Sequence, residues 1–487
     1  MLKIRRFFVL FFIASFLSAP YASDLPPAIM FSRLTSAVWS GSVQLSVLAV
    51  DDVGVSKVEL YINNLKVAEL TRSPYDFIVD TTRYPDGVYQ VTAVAYDTVG
   101  RLSSASMMVY FKNRGQVVAY SPEPKVLWKY EAVIDKRNFL FSNAPAVGDD
   151  GTLYVAAYDN IFYKYYIFAI SPNGTLKWRY EVGPEFAGPA IGPDGTIYVF
   201  SGKLIALGSN GYKKWELKIG LDIAYTTNTY PHTPSISHDG TIYVAAREGL
   251  YSVSASGTIN WALKQKSDIR PVVDVDGTVY IAEGRNVIAV GRDGKELWRR
   301  ALNGSVTWLI RGDGVILAYQ SSWKDQIVAI SKTGEVVGSA TVESSLGTTD
   351  VGFYQGKDGT LYLVDDKERL RAYTPDGTSK WVFDIPEKFV KSGVWVVIWV
   401  NQRAILIGES GVVYVGADGW LYGIENGKVK FKIETKVPIN IPLVMSDNGV
   451  IYAISSSGVV FAIQTNDQVA KAPWPMFGRN RKNTNGE

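Results

Sequence analysis

Asp150-Gly151-Thr152-Leu153-Tyr154 is the first copy of the five-residue phrase that decides the fold of this chain. The phrase consists of an acidic or polar residue, Gly, usually Thr or Val, an apolar residue and usually Tyr. Its other copies occupy residues 194–198, 239–243, 276–280, 313–317, 358–362, 410–414 and 448–452. The glycines are spaced by 44, 45, 37, 37, 45, 52 and 38 residues. This period is typical of four-stranded β-propeller blades, because each repeat must bury its apolar faces against its neighbours.

A second phrase, Gly followed four residues later by Trp, lies between copies of the first. Asp-Gly dipeptides favour tight turns, and the apolar run that follows predicts an inner strand. The Gly-to-Trp phrase predicts a hairpin turn and an outer strand, whose aromatic side chain packs between neighbouring blades. Gly338 and Phe431 replace Trp in two degenerate copies, and the first copy lacks its glycine. The predicted docking side chains are Trp128, Trp178, Trp215, Trp261, Trp298, Trp381 and Phe431.

The number of copies of each phrase predicts how the ring closes. Eight Asp-Gly strands need eight outer strands, but no outer strand follows Ile463 in the last repeat. The strand around Trp128, at the front of the repeats, is therefore predicted to complete the last blade. Such pairing removes the exposed sheet edges that would otherwise invite aggregation.

With both phrases recurring in register, residues 125–475 resemble the pyrroloquinoline-quinone-like propeller repeats. The resemblance implies blades that interlock through the Gly-to-Trp phrase, and an eight-bladed β-propeller overall. Residues 472–478 also resemble a Trp-Pro-Met-Phe segment that is common beside such propellers. We expect residues 476–487 to form a polar C-terminal tail.

Residues 26–113 follow a different pattern, with alternating apolar and polar residues over 41–50, 55–62 and 88–96. Asn63-Asn64 and Asp86-Gly87 are turn signals between these segments. The pattern predicts a small immunoglobulin-like β-sandwich in an all-β chain, and it resembles bacterial immunoglobulin-like domains of exported proteins. Residues 114–124 are the expected linker.

The first 22 residues have the features of a secretory signal peptide. Lys3, Arg5 and Arg6 precede an apolar stretch over 7–17, and small residues lead to an expected cleavage after Ala22. We therefore expect an exported protein of the periplasm or cell surface. No later segment is long and apolar enough to predict a membrane span. The chain has no cysteine, so we expect it not to be a lipoprotein.

Composition and charge narrow the expected partners further. A net charge of +3 from 50 basic and 47 acidic residues gives no reason to expect nucleic acid. Quinoprotein dehydrogenases commonly use a vicinal cysteine pair beside their quinone, and this chain lacks it. We expect no cofactor, no catalytic residues, and a monomer whose partner is a protein or polysaccharide.

A few residues are candidate ligand contacts. Asp51, Asp52 and Asp97 lie in turns of the front domain and could share a cation. His232 and His238 could hold a metal or act as an acid–base pair, although two loop histidines are the simpler interpretation. Exposed aromatic residues could stack on sugars or hold a partner, although core packing also explains them. The candidate contacts for a sugar or a partner protein are Tyr225, Tyr230, His232, Trp395 and Trp399.

Two functional hypotheses remain. The first is a non-catalytic binding or scaffold protein of the cell envelope, similar in type to the propeller lipoproteins of outer-membrane barrel assembly but without their lipid anchor. The second is an enzyme, either a divergent quinoprotein dehydrogenase or a polysaccharide-acting propeller. We favour the first, because the repeats account for most distinctive residues and leave no dense catalytic cluster.

Overall fold

The structure is a computed structural model of the 487-residue chain. It describes residues 26–31, 38–63, 65–84, 87–111, 124–183, 187–219, 232–342, 353–365, 367–386, 404–472, 476 and 478–486. The chain divides into two compact units, Met1–Tyr120 and Ser121–Glu487. Across these described ranges, no helix is both long and apolar enough to cross a membrane.

The first unit contains two β-sheets. Its elements are β1 (Ala28–Phe31), β2 (Val38–Trp39), β3 (Ser42–Val50), β4 (Val55–Ile62), β5 (Leu65–Leu70), β6 (Tyr75–Asp80), the 3₁₀ turn η1 (Thr81–Arg83), β7 (Gly87–Asp97) and β8 (Leu102–Phe111). One sheet has the order β1-β3-β6 and the other β2-β8-β7-β4-β5. Alternate residues such as Leu45, Phe77 and Val91 are buried in the shared core. This alternation is the period of strands with one buried face.

The second unit consists of successive small sheets. Its strands are β9 (Lys125–Glu131), β10 (Val133–Ile134), β11 (Arg137–Val147), β12 (Leu153–Asp159), β13 (Lys164–Ile170), β14 (Leu176–Gly183), β15 (Ala190–Ile191), β16 (Ile197–Phe200), β17 (Lys203–Leu207), β18 (Lys213–Lys218), β19 (Ser235–Ile236), β20 (Ile242–Ala246), β21 (Gly249–Val253), β22 (Ile259–Leu263), β23 (Val272–Val273), β24 (Val279–Glu283), β25 (Asn286–Val290), β26 (Glu296–Ala301), β27 (Ser305–Arg311), β28 (Val315–Ser321), β29 (Gln326–Ser331), β30 (Val336–Thr341), β31 (Tyr354–Gln355), β32 (Leu361–Val364), β33 (Arg369–Tyr373), β34 (Ser379–Asp384), β35 (Ile405–Ile407), β36 (Val413–Ala417), β37 (Trp420–Glu425), β38 (Lys428–Glu434), β39 (Ile441–Met445), β40 (Val450–Ser455) and β41 (Val459–Gln464).

These strands form eight antiparallel sheets within the described residues, one for each Asp-Gly phrase. We call them blades 1 to 8 in chain order. Blade 1 is β11-β12-β13-β14 with the short β10 added at the edge of β11, the next six contain four consecutive strands each, and blade 8 is β39-β40-β41-β9. We count β11 as the first strand of blade 1. The second strand of each blade follows the Asp-Gly turn and is almost entirely buried, as in β16 and β32. Continuous apolar runs therefore become inner strands covered on both faces.

The predicted ring closure is confirmed. β9 pairs antiparallel with β41, and Trp128 stands opposite Ala462. The N-terminal strand of the unit thus supplies the fourth strand of its last sheet. Trp128 also lies 5.9 Å from Tyr452, the tyrosine of the Asp-Gly phrase in the same blade.

Each docking tryptophan lies against a glycine of the following blade. A Cβ atom built on Gly174 or Gly211 would be 2.7 Å from Cδ2 of Trp128 or Trp178, respectively, so only glycine lets the indole approach this closely. The indole Nε1 then donates to the carbonyl two residues before the glycine, at 2.7 Å for Trp128 and Pro172. The same contact between tryptophan and glycine recurs at Trp215 and Gly257, Trp261 and Gly294, Trp298 and Gly334, and Trp381 and Gly427.

The two degenerate copies are arranged differently. Blade 5 has Gly338 in place of the tryptophan, and Ala340 takes the contact with Gly377 of blade 6. Phe431 lies against Gly423 within its own blade, beside Tyr414 at 5.9 Å. A docking role of Phe431 toward blade 8 stays a prediction.

Gly211→Ala should lower the stability of the ring unit more than Gly195→Ala. Both glycines lie in turns of blade 2 with positive φ, of 83° and 77°, so alanine strains the backbone at both positions. Only at Gly211 does the new methyl group also collide with Trp178. We expect an additional loss of about 1–3 kcal/mol, as in other overpacked sites, measured by chemical denaturation. Equal losses in the two variants would show that the indole contact does not restrict this position.

Candidate binding site at the inner rim

The Asp-Gly turns all lie at the end of the first strand of a blade, where they define one rim of the ring. In blade 1, Asp150 Oδ1 accepts the Thr152 N–H at 2.9 Å, and Oδ2 accepts the Thr152 hydroxyl at 2.7 Å. Asp194 and Asp358 make the same pair of bonds. These aspartates therefore serve to close their own turns.

We call the last residue of each first strand the rim residue. The eight rim residues are Val147, Ile191, Ile236, Val273, Arg311, Gln355, Ile407 and Met445. Each immediately precedes a residue whose N–H closes the Asp-Gly turn, so the eight positions are structurally equivalent.

The C-terminal segment 478–486 runs along this rim. Backbone N–H groups of four successive rim residues donate to four of its carbonyl groups. Val147 bonds to Arg481 at 2.6 Å, Ile191 to Lys482 at 2.8 Å, Ile236 to Thr484 at 2.8 Å and Val273 to Asn485 at 3.1 Å. The segment thus joins blades 1 to 4 through backbone groups that strand pairing leaves available.

Side chains of the segment add further bonds. Asn483 is fully buried, donates to the Pro189 carbonyl at 2.8 Å and accepts from Arg270 Nη1 at 2.7 Å. Arg481 forms ion pairs at 2.7 Å with Asp149 and with Asp447. The Asn483 amide therefore connects blades 2 and 4, while the Arg481 guanidinium connects blade 8 with blade 1.

The boundary that we drew at residue 475 separates residues that the structure packs together. Met476 is buried and forms a β-bridge with Leu406, and Thr484 and Asn485 are buried as well. The predicted tail is polar in composition, and its backbone carbonyls and asparagine amides bond here to the rim itself. The repeated asparagines Asn480, Asn483 and Asn485 were the available signal, since asparagine tolerates the positive φ of 54° found at the last two.

A cavity of about 700 Å³ lies beside this segment, at blades 5 and 6. Arg479 of the segment lines it together with Lys471 and Ala472, and the other lining residues belong to the first strands and Asp-Gly turns of the two blades. Its lining is polar and comprises Arg311, Asp313, Gln355, Gly356, Lys357, Asp358, Gly359, Lys471, Ala472 and Arg479. Sequence reasoning did not select any residue of this cavity as a ligand contact.

Two of the three predicted cation ligands of the front unit, Asp51 and Asp97, accept hydrogen bonds within their own turns. Asp97 accepts the N–H groups of Val99 and Arg101 and pairs with the Arg101 side chain at 2.9 Å. Asp51 accepts the Val53 N–H at 3.0 Å. Over the described ranges, no group of three or more His, Asp or Glu side chains is placed to hold a metal ion. The aromatic candidates Tyr225, Tyr230, Trp395 and Trp399 lie outside the described residues, as do residues 1–22 and most of the expected linker.

The two histidines have different environments. His238 is exposed in the Asp-Gly turn of blade 3, whereas His232 is half-buried before β19. Burial, together with the positive charge of Arg270, lowers the pKa of His232 to about 4. A cation beside a histidine opposes metal binding and protonation alike, so the geometry gives no support to a metal-binding or acid–base pair.

The repeated four-stranded sheets, the strand that closes the ring and the stacked tryptophans define a β-propeller protein with an immunoglobulin-like unit in front. A family model described as outer membrane protein assembly factor BamB matches residues 93–290 and 283–475. The chain belongs to this family. A model described as bacterial Ig domain matches residues 34–93. Both resemblances noted from the sequence are confirmed, and so is the all-β class.

Solved structures share the propeller fold at low sequence identity. BamB from Moraxella catarrhalis is 17% identical over 70% of this chain and 99% of its own, with a TM-score of 0.51. Sqt1 from Saccharomyces cerevisiae is 10% identical over 69% of this chain and 98% of its own, with a TM-score of 0.50. A virginiamycin B lyase from Staphylococcus aureus is 12% identical over 69% and 99%, with a TM-score of 0.42, too low to bear on activity. No curated protein sequence matches the chain significantly.

Removing residues 479–487 should destabilise the ring unit, although every strand is retained. The truncation deletes four backbone hydrogen bonds and leaves the half-buried Arg270 without its Asn483 partner. Lost hydrogen bonds to buried groups cost about 1–3 kcal/mol each, so we expect a clear fall in melting temperature by calorimetry. Asn483→Ala should reproduce part of the loss, and the exposed change Lys295→Gln serves as the control. An unchanged melting temperature after truncation would contradict this role of the segment.

Stability should fall as the pH drops from about 6.5 toward 4, in part because of His232. Its pKa of about 4 in the folded chain lies below the ordinary value, so the unfolded chain binds more protons in this window. Each pKa unit corresponds to about 1.4 kcal/mol. His232→Gln should flatten the dependence of unfolding free energy on pH, whereas His238→Gln should retain it. Parallel curves for the wild type and His232→Gln would contradict this assignment.

Proposed function

We propose that the protein is an exported scaffold that binds another protein at the bacterial cell envelope and catalyses no reaction itself. The main observation in support of this proposal is the family match. About four-fifths of the chain, residues 93–475, matches a family described as outer membrane protein assembly factor. A bacterial Ig domain precedes it, and we assign to this unit the role of a spacer or second contact.

The architecture of the ring unit supports a binding platform. Its blades are joined by repeated contacts between tryptophan and glycine, and β9 closes the last sheet. Such a ring holds its surface loops in fixed positions, and preformed surfaces bind partners at a lower entropic cost. Loops on a rigid scaffold are the usual carriers of recognition.

The C-terminal segment supports a binding role over catalysis. It covers the rim of blades 1 to 4 with buried amide and backbone bonds. A flat quinone cofactor at this end of the ring would have to displace it. We therefore prefer the scaffold to the alternatives of a divergent quinoprotein dehydrogenase or a polysaccharide-acting propeller.

Export and the absence of a lipid anchor complete the proposal. The charged and apolar pattern of residues 1–22 supports secretion, and the absence of cysteine leaves no site for the acylated cysteine of a lipoprotein. We place the mature chain in the periplasm or at the cell surface, as a monomer before it meets its partner.

The test combines cell fractionation with cross-linking in intact cells. The full chain should be recovered from the envelope fraction, whereas a chain without residues 2–22 should remain in the cytoplasm. Mass spectrometry after cross-linking should identify a protein partner, and the purified pair should re-form a complex of defined stoichiometry. Cytoplasmic retention of the full chain would contradict export. Recovery of polysaccharide alone, or saturable quinone binding with dye-linked oxidation of an alcohol or sugar, would overturn the scaffold.

A further inference from the structure

The hairpins that join the second and third strands of the blades lie at the end of the ring opposite to the Asp-Gly turns. Each second strand begins just after its Asp-Gly turn and runs away from it. We call these turns the distal hairpins. In blades 2, 4 and 7 they consist of two residues, one of which is Gly202, Gly284 or Gly419, respectively. The distal hairpins of blades 1 and 5 have four residues each and expose large apolar side chains.

The distal hairpin of blade 1 exposes three such side chains in succession. Ile161 and Phe162 are more than half exposed, and Tyr163 is 75% exposed. The second strand of this blade, β12, has seven residues, whereas its counterpart β16 in blade 2 has four. Both strands begin three residues after the aspartate of their Asp-Gly turns, so at about 3.3 Å per residue β12 extends about 10 Å farther. The three side chains therefore lie on a projecting tip.

The distal hairpin of blade 5 forms a second tip. Trp323 is 88% exposed there, and β28, which leads to it, again has seven residues. Blades 1 and 5 lie four sheets apart in either direction around the closed ring. The two tips therefore lie on opposite sides of the same end of the ring unit.

A buried aspartate holds each tip in a fixed conformation. In blade 1, Asp159 accepts the N–H groups of Ile161 at 3.0 Å and Phe162 at 3.2 Å. In blade 5, the buried Asp325 accepts the Ser322 N–H at 3.1 Å. The apolar side chains are thus displayed by ordered turns, and a preformed display lowers the entropic cost of binding.

Tyr163 is displayed at a cost to the backbone. Its φ of 56° lies in the left-handed region, which a bulky side chain rarely adopts. Gly202, Gly284 and Gly419 have the positive φ values of the short distal hairpins. Strained conformations of this kind persist mainly at functional sites. The chain therefore keeps an exposed aromatic ring at a position where glycine would relieve the strain.

Each tip also places a cation against its exposed ring. The Arg137 guanidinium lies 4.9 Å from the centre of the Phe162 ring, and Lys324 Nζ lies 4.6 Å from that of Trp323. Aromatic rings beside lysine or arginine are typical of membrane–water interfaces, because the ring enters the bilayer while the charged group stays among the lipid headgroups.

The size and separation of the tips favour a lipid surface over a protein partner. A large side chain offers about 150–250 Å² when fully exposed, so neither tip offers more than about 500 Å². A stable protein interface buries about 800 Å² on each partner. A flat bilayer contacts both tips at once and adapts to their shape, whereas one protein would have to span the ring.

We propose that the distal end of the ring unit binds the surface of a phospholipid bilayer. Ile161, Phe162, Tyr163 and Trp323 insert to the boundary between headgroups and acyl chains, as the apolar side chains of surface-bound proteins do. Arg137 and Lys324 then contact lipid phosphates.

This inference goes beyond the scaffold role and does not depend on it. Vesicle binding by the purified chain needs no protein partner, so failure to find a partner would leave it unchanged. Failure of vesicle binding would likewise leave the cross-linked partner unaffected.

The test is co-sedimentation with vesicles of phosphatidylethanolamine and phosphatidylglycerol. The chain is purified without residues 1–22, because their apolar stretch would itself bind lipid. We expect saturable binding that persists in high salt, and quenching of tryptophan fluorescence by lipids brominated in their acyl chains. Trp323→Ser should remove most of this quenching. Phe162→Ser should weaken binding about tenfold or more, because insertion loses the burial of an aromatic ring.

Tyr163→Asn and Tyr212→Asn form a matched pair. Tyr212 is 76% exposed, but its turn lies at the Asp-Gly end of blade 2. Asparagine accepts the positive φ at residue 163, so Tyr163→Asn should weaken vesicle binding while preserving the melting temperature. Tyr212→Asn should leave vesicle binding unchanged.

Four results would overturn the proposal. These are no binding by the wild type, equal affinity in the wild type and all tip variants, equal losses in the matched pair, and binding without quenching, which would show adsorption by charge alone. Loss of the cross-linked protein partner in Phe162→Ser, with vesicle binding unchanged, would assign the tip of blade 1 to that partner and overturn it as well.

Discussion

The contact between an indole ring and the glycine of the next blade is the constraint on which the ring unit depends. Each glycine has positive φ and no side chain, so the preceding tryptophan can lie directly on its backbone and donate to a nearby carbonyl. The same tryptophan packs 5.7–6.0 Å from the tyrosine that follows the Asp-Gly turn of its own blade. One side chain therefore connects the inner strand of its blade with the outer hairpin of the next. Blade 5 lacks this tryptophan, and its contact with blade 6 is made instead by Ala340 against Gly377.

Much of this fold could be predicted, because the two phrases encode local geometry that the tertiary structure does not override. Asp150 and Gly151 define a turn by themselves, and the apolar run after them is buried wherever it occurs. The pairing of β9 with β41 was also predictable, because the last repeat lacks an outer strand and the first repeat is preceded by an extra one. Without this pairing both strands would expose unpaired edges, which promote aggregation. The positions of Trp178 and Gly211 follow from the same periodicity.

The functional surface was less predictable, for two physical reasons. The residues after Met476 were predicted as a polar tail, and nothing local in Asn483 indicates that a distant arginine and a proline carbonyl bond to its side chain. The hairpins that expose Phe162 and Trp323 share no sequence pattern, so their common place at one end of the ring becomes visible only in the fold. Most of the aromatic residues that we predicted as ligand contacts, Tyr225, Tyr230, Trp395 and Trp399, lie outside the described residues. Of the chosen candidates, His232 lies close enough to Arg270 for its charge to affect the histidine.

The two ends of the ring unit have a consequence for how the chain acquires its structure. β9 opens the unit, yet its partner β41 comes last among the strands, and Arg481 bonds to the Val147 carbonyl 334 residues earlier. Non-local pairings of this kind form late, because loop closure costs entropy before the contacts are made. A chain made from its N-terminus must therefore keep β9 and the rim of blade 1 without these partners until its final residues are available. During that interval the unpaired β9 is an edge that aggregation or a folding helper can reach, whereas in the finished ring β9 is paired with β41.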